Sequence, residues 1–303
     1  MGRGTRWLVL AALVVGALGL GGLLTGAIGS AFLGREPLLH RPHVHLAADI
    51  LPWSIGPFPL RNTLLSAWLA TLVIVVLFVG GARTLKMVPG RWQNLIEVFI
   101  ESLYRFIESV VGTKYARAFF PVIATIFIFV AFNAWLALLP IYPSLGFKEK
   151  VVKEGHVETV FVPLLRSAGT DLNMPLALAL VSFVFVEFWG FRALGLAYLG
   201  KFIRLGNLLR GKIFQGFVDL FVGVLELASE FIRIVSFTFR LFGNMTAGEI
   251  LLLVSAFLVS FVFSVPFYGL EILVGFVQAL IFAGLTTVFV ALAVAEHGEG
   301  EHH

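Results

Sequence analysis

Residues 213–265 read IFQGFVDLFVGVLELASEFIRIVSFTFRLFGNMTAGEILLLVSAFLVSFVFSV, with no proline and with charge confined to Asp219, Glu226, Glu230, Arg233, Arg240 and Glu249. As one helix of about 50 residues, this stretch would extend roughly 75 Å, against roughly 30 Å for the hydrocarbon core of a bilayer. It must lie strongly tilted or break near Gly243 or Gly248, and a break would reverse the topology of everything after it. Asp219, Glu226, Arg233 and Arg240 recur at intervals of seven and form one nearly straight stripe, with Ser229, Ser236 and Asn244 within about 40° of it at 100° per residue. Such a stripe needs a polar partner or a water-filled groove.

The 303 residues are 59% hydrophobic and 13% charged, against roughly 45–50% and about 25% in soluble domains, and the mean hydropathy is +0.96. That excludes a soluble globular protein. The apolar runs are continuous rather than alternating, which excludes a β-barrel. With no cysteine, disulfides, iron–sulfur clusters and thiolate zinc sites are ruled out. The histidines (His40, His43, His45, His156, His297, His302, His303) all fall in polar stretches, so no span carries a haem ligand and no cofactor is expected.

Working outward from the long segment, Arg3 and Arg6 precede an uncharged run, Trp7 to Leu33, too long for a signal-peptide core of about 7–15 residues and read as a retained span. A loop with Pro37, Pro42, Pro52, Pro57 and Pro59 follows, then a second span from Asn62 to about Gly81 and a basic turn, Arg83 to Arg91. Over 92–113, Glu97, Glu101, Arg105 and Glu108 form one charged stripe, predicting an amphipathic helix at the membrane surface. A third span runs from about Ala118 to Leu139, a mixed-charge hairpin or loop covers 144–170, and a fourth span runs from about Asp171 to Trp189. Pro266 is read as the start of a turn, and the last span runs from about Tyr268 to Ala295, before an acidic, His-rich tail.

The expected fold is all-α and polytopic. It has about six membrane helices including an extra N-terminal span, one interfacial amphipathic helix, and a long tilted helix packed against the last helix as a hairpin. The expected division is an N-terminal helix or anchor at 1–33, an outer loop at 34–61, a membrane domain at 62–295 and the tail at 296–303. With a cytoplasmic amino terminus and one crossing of the long segment, 13 of the 22 basic residues lie inside: Arg3, Arg6, Arg83, Lys86, Arg91, Arg105, Lys114, Arg117, Arg192, Lys201, Arg204, Arg210 and Lys212. Arg35, Arg41, Arg61, Lys148, Lys150, Lys153 and Arg166 lie outside. The positive-inside rule supports this orientation, with both termini cytoplasmic.

Charges inside spans cost about 2.5–3.5 kcal/mol each on insertion scales and mark ion pathways. Six acids, Glu187, Asp219, Glu226, Glu230, Glu249 and Glu271, face two arginines, Arg233 and Arg240. Pairing such as Glu226 or Glu230 with Arg233 accounts for part of the set and leaves at least four acids over. Glu226 and Glu230 precede Arg240 toward the cytoplasm, whereas Glu249 and Glu271 lie toward the outside. Carboxylates can exchange protons, while a guanidinium holds its own under ordinary conditions. The layout suits two offset half-channels separated by a fixed positive charge. Glu271, Gly275 and Gln278 share a face of the last span, where Gly275 permits close helix approach.

Other patterns carry less. Gly206 to Lys212 has the glycine spacing of a phosphate loop, but Ile213 replaces the Ser or Thr that magnesium needs and no strand precedes it. Asn244-Met245-Thr246 has the form of a glycosylation acceptor but falls mid-membrane. Gly22 and Gly26 are a weak helix-packing pattern, and His40, His43 and His45 read as a solvated loop rather than a metal site.

At Arg240-Leu241-Phe242-Gly243-Asn244-Met245-Thr246-Ala247-Gly248-Glu249 the sequence resembles subunit a of the F-type ATP synthase membrane sector. Pro89 to Gln93, Asn133 to Pro140, Thr170 to Asn173 and Gln278 within Val277 to Phe282 extend the resemblance over roughly residues 45 to 296. It implies that Arg240 is the essential arginine facing the rotating ring of c subunits. By the same likeness Glu249 and Glu271 belong to the outer half-channel, with Asp171 and Asn173 beside them, and Glu226 to the inner one. Gln278 and Asn244 would be neighbours of the arginine. Ile234 stands where many members carry a proline, and the span before residue 34 is extra relative to the shortest members.

The resemblance further implies a non-catalytic stator subunit in the cell inner (plasma) membrane. Its partners would be the c-subunit ring, peripheral-stalk b subunits, the rest of the F0F1 complex and membrane lipid, with no nucleic acid and no cofactor. The ion carried, proton or sodium, would be set by the ring carboxylate and not by this chain. Two other classes compete, a secondary antiporter binding substrate between its buried Arg and Glu residues and a structural membrane anchor. An antiporter should show internal repeats and broken helices, and an anchor would not need six acids inside the membrane.

Overall fold

A computed structural model describes residues 3–37, 47–82, 90–153, 156–202, 213–259 and 261–295. The basic turn at 83–89, the segment 203–212 with its glycine pattern, the loop histidines His40, His43 and His45, and the tail 296–303 lie outside the described residues.

The fold is all-α with two small hairpins. Helices α1 (Arg3–Thr25) and α2 (Ala27–Leu33) precede strands β1 (Ile50–Ile55) and β2 (Phe58–Arg61), then α3 (Asn62–Ala82) and α4 (Arg91–Ala137). A single turn, α5 (Ile141–Ser144), leads into β3 (Gly146–Lys153) and β4 (His156–Pro163). Helix α6 (Asn173–Leu194), the long α7 (Ile213–Leu258) and α8 (Val265–Ala295) complete the order. Among the described residues, five helices are long and apolar enough to cross a membrane: Gly4–Thr25, Asn62–Gly81, Arg91–Ala137, Asn173–Leu194 and Val265–Ala295. Exposed side chains such as Leu72 and Val76 on α3 suit hydrocarbon, not water.

Several elements differ from the sequence reading for identifiable reasons. The run Trp7 to Leu33 is two helices, because Gly26 is extended (φ −71°, ψ 171°) and ends the first. The loop 34–61 contains the antiparallel β1–β2 hairpin, turned at Gly56 with φ 60°. Its prolines read as loop, yet a two-stranded hairpin has only edges, where proline is tolerated. The surface helix at 92–113 and the third span are separate helices, as expected, although they follow each other directly: Gly112 (φ 75°, ψ 166°) breaks the helical backbone between them. The fourth span starts at Asn173 and continues to Leu194. The long helix is unbroken at Gly243 and Gly248 and stops at Leu258. Pro266 sits in the first turn of α8 instead of starting a turn before it, a position where its missing N–H costs nothing. The mixed-charge segment 144–170 does form a hairpin, with Gly146 opposite Pro163 and Lys153 opposite His156.

The chain divides into two compact units. The first comprises Met1–Leu65, Ala134–Thr170 and Gly243–Phe276. Here Gly26 lies against the main chain of Leu258 and Val259, where an added Cβ would come within 2.9 Å of backbone carbon atoms. Asn62, fully buried, donates to Asp49 and to the Pro163 carbonyl, both at 3.3 Å, joining the two hairpins. The Trp135 indole donates to the Ile272 carbonyl at 3.1 Å, and a Cβ on Gly275 would lie 2.7 Å from that of Ala134. The expected close approach at Gly275 is therefore made to α4.

The second unit comprises Ser66–Asn133, Asp171–Phe242 and Val277–His303. Its core is aromatic: Phe119 of α4 meets Phe185 and Trp189 of α6 at ring distances of 5.7 and 4.9 Å. Ser182 and Thr286 share a buried 2.7 Å hydrogen bond between α6 and α8. Phe237 of α7 packs on Phe282 and Phe289 of α8 at 4.9 and 5.9 Å. On the segment before Gly112, Leu103 and Ile107 are buried while Glu101 and Arg105 pair in the open at 2.6 Å, as the charged stripe predicts.

Gly26→Ala should lower the thermal midpoint of the purified protein in detergent by several degrees, because the methyl group meets rigid main chain. Gly16→Ala, with open space around it, should leave the midpoint unchanged or raise it slightly.

Candidate functional site

The polar residues of α7 fall into two groups, one in each unit. In the second unit, Arg233 pairs with Glu230 one turn earlier, at 2.7 and 2.9 Å, and its guanidinium lies 3.8 Å from the centre of the Phe289 ring. Glu230 is only 3% exposed, so burial of this carboxylate is offset by a two-point ion pair and by the π face beneath the arginine. The Glu230–Arg233 pairing expected from sequence is thus present. Asp219 and Glu226, seven residues apart on the same stripe, are half-buried and both have partners.

Arg240 differs. Its guanidinium donates to the Ser236 hydroxyl at 3.3 Å and lies 5.7 Å from the Phe237 ring, both on its own helix. Among the described residues no carboxylate comes within ion-pair distance of it. Arg240 is half-buried, so a formal charge is held part-way into the protein by one neutral hydroxyl and one ring face. The pairs Phe237–Phe282 and Arg233–Phe289 run in opposite sequence directions. The two helices are therefore antiparallel here, and Gln278, which is buried, falls at the level of the turn that carries Arg240.

In the first unit, Glu249 is gripped by Arg166: Nε donates to both carboxylate oxygens at 3.0 and 3.1 Å and Nη2 to Oε2 at 2.9 Å. The third guanidinium nitrogen, Nη1, donates to the Ala47 carbonyl at 2.9 Å. Arg166 is 7% exposed. This corrects the sequence count, which set two arginines against six acids and left Arg166 among the outer-side cations. The count followed the helices alone, and Arg166 arrives from the segment after β4. The signal was the apolar run Phe161 to Leu165, which draws the next residue into the protein.

One residue before Glu249, Gly248 has no side chain, and the carboxylate of Glu271 from α8 occupies that space; a Cβ there would collide with all three carboxylate atoms. Glu271 has no hydrogen-bond partner among the described residues. The structure thus brings the two expected outer acids onto adjacent residues of α7, one clamped by arginine and one resting on bare backbone. Gly169 similarly lies against Met245, where a Cβ would be 2.7 Å from its Cγ. Asn244, half-buried, lies in this unit too.

Asp171 and Asn173 sit at the start of α6. Asp171 accepts from the Asn173 backbone N–H at 3.1 Å and from its side-chain amide at 2.9 Å. This satisfies an amide that the first turn leaves open, a helix-capping role. Glu187, further along α6, is half-buried and has a partner.

Residues 64–291 match the family described as ATP synthase A chain. The ATP synthase subunit a of Gloeobacter violaceus is 32% identical over 274 residues, covering 90% of this chain and 98% of that protein. Those of Nitrosospira multiformis and Desulfosudis oleivorans are 31% and 34% identical, over 84% and 76% of this chain and 89% and 86% of their own lengths. With a family match over most of its helices and relatives aligned over nearly their full length, the chain belongs to the ATP synthase subunit a family.

Proposed function

We propose that the chain is the ion-conducting stator subunit in the membrane sector of an F-type ATP synthase. It would form two offset proton pathways against a ring of c subunits and be held by peripheral-stalk b subunits. The observation that carries this reading is Arg240: a half-buried cation on the long α7 with no carboxylate in range among the described residues. A charged group in a medium of low dielectric needs an opposite charge, and a ring carboxylate presented by a neighbouring chain would supply it. The exposed apolar side chains along α7, among them Phe221, Leu225, Ile232 and Phe239, suit contact with a ring of apolar helices.

In this mechanism an ionised ring carboxylate arriving at Arg240 is held by it. Protons reach the ring from the outside past Asp171, Asn173, Glu271 and Glu249, with Asn244 and Gln278 beside the arginine. Protonation neutralises the ring carboxylate, weakens its attraction to Arg240 and lets it turn into lipid. Protons leave on the other side past Ser236, Glu230, Glu226 and Glu187. Arg240 cannot give up its own proton, so it separates the two pathways without relaying between them. Arg166 holds Glu249 at the mouth of the outer pathway. The chain has no catalytic centre in this reading, its functional part being 62–295, and it would lie in the plasma membrane with both termini in the cytoplasm. The unbroken helix from Ile213 to Leu258 favours this reading over a secondary antiporter with midplane helix breaks.

The test is co-purification of the tagged chain from native membranes, followed by ATP-driven proton pumping in vesicles. Ring and stalk subunits should accompany the chain, and Arg240→Ala should abolish coupled pumping. A chain that purifies without a ring and catalyses exchange alone would overturn the proposal.

The same assay checks the outer group. Arg166→Ala, which leaves Glu249 without its clamp, should slow pumping about tenfold or more, and Arg166→Lys should restore part of it. Gly248→Ala should displace the Glu271 carboxylate and slow pumping about fivefold or more, whereas Gly80→Ala on α3, with open space around it, should leave pumping near the wild-type rate.

A further inference from the structure

Around the joint at Gly112, α4 and the end of α8 enclose an open groove of about 430 Å³, lined by Val110, Val111, Tyr115, Val288, Ala291 and Leu292. Val110, on the surface segment before Gly112, and Val288 and Leu292, on the membrane-crossing α8, are exposed, so the acyl region next to the membrane surface is their natural cover.

The groove meets cations at Tyr115. The Lys114 ammonium lies 5.1 Å from the centre of that ring. Tyr115 in turn packs edge-on against Trp189 at 6.4 Å, and the Arg192 guanidinium lies 5.6 Å from the centre of the Trp189 ring. Arg117 follows Lys114 by one turn, and Lys114, Arg117 and Arg192 are all exposed. Lys and Arg amid Tyr and Trp mark the headgroup level of a membrane. The acids nearest to this array in sequence are Glu108 and Glu187, both half-buried, and Glu187 has a partner.

We propose that the groove and the Lys114–Tyr115–Trp189–Arg192 array form a binding site for one anionic diacyl phospholipid. An acyl chain would lie along Val110, Val288 and Leu292, with the phosphate between Lys114 and Arg192. The occupant follows from two complementarities at once: an apolar trough fits a hydrocarbon chain, and exposed cations at its end fit an anionic headgroup. The tail that follows Ala295, Glu-His-Gly-Glu-Gly-Glu-His-His, could satisfy the cations but has no apolar side chain to fill the trough. The site does not use Arg240, and it adjoins the proposed exit pathway only at Glu187.

The test uses the assembled complex in nanodiscs doped with phosphatidylglycerol or phosphatidylcholine carrying a photoreactive acyl chain, with adducts mapped by mass spectrometry. Adducts should fall in 108–117 and 286–295, with phosphatidylglycerol favoured about tenfold. The pair Lys114→Gln and Arg192→Gln should bring the two lipids within about twofold of each other in complex that still assembles, and Ala291→Phe should suppress both adducts by filling the trough. Equal labelling by the two lipids in the unaltered complex, or a preference that survives the double substitution, would overturn the proposal. So would a preference seen only after removal of 296–303, which would assign the cations to the tail.

Discussion

A guanidinium inside a membrane cannot shed its charge, and it must be given an anion, a dipole or water. That constraint organises the polar interior of this chain. Arg233 is given Glu230 and the face of Phe289, and Arg166 is given Glu249 and a backbone carbonyl. Arg240 is given only the Ser236 hydroxyl and the Phe237 ring. Among the described residues, Arg233 and Arg166 each have a carboxylate partner and Arg240 has none.

The helices around these groups are drawn close by small residues. Gly248 makes room for the Glu271 carboxylate, Gly275 lets α8 meet α4, and Gly169 takes in Met245. In hydrocarbon there is no hydrophobic gain from pressing apolar helices together, so close contact at small residues and occasional hydrogen bonds, such as Ser182 with Thr286, must hold the bundle. The contact at Gly248 seats Glu271 against α7, and the loop-borne Arg166 holds Glu249 beside it.

Much of this was legible in the sequence. Composition and run lengths gave the all-α membrane class, and the seven-residue spacing gave the charged stripe on one long helix. The Glu230–Arg233 pair and the tight approach at Gly275 followed from helical arithmetic. What was missed came from outside helical periodicity. Arg166 is distant in sequence from Glu249, and its pairing depends on how the chain returns after β4. The β1–β2 hairpin was hidden by its prolines. The partner helix at Gly275, and the seating of Glu271 on Gly248 instead of on a polar group, are properties of packing that a single helix face does not specify. Asp171 and Asn173 read as pathway residues, and the structure adds a local capping role that short-range spacing contains but the resemblance drew attention away from.

The most direct test of the central claim is disulfide cross-linking in the assembled complex. The chain has no cysteine, so Ser236→Cys, on the face that carries Arg240, can be paired with a cysteine one turn from the ion-binding carboxylate of a c subunit. Leu72→Cys, exposed on α3, serves as the control. If Arg240 waits for a ring carboxylate, the Ser236 position cross-links to the ring under mild oxidation and the Leu72 position does not. A Ser236 cysteine that fails to reach the ring, or reaches it no better than Leu72, would contradict the account.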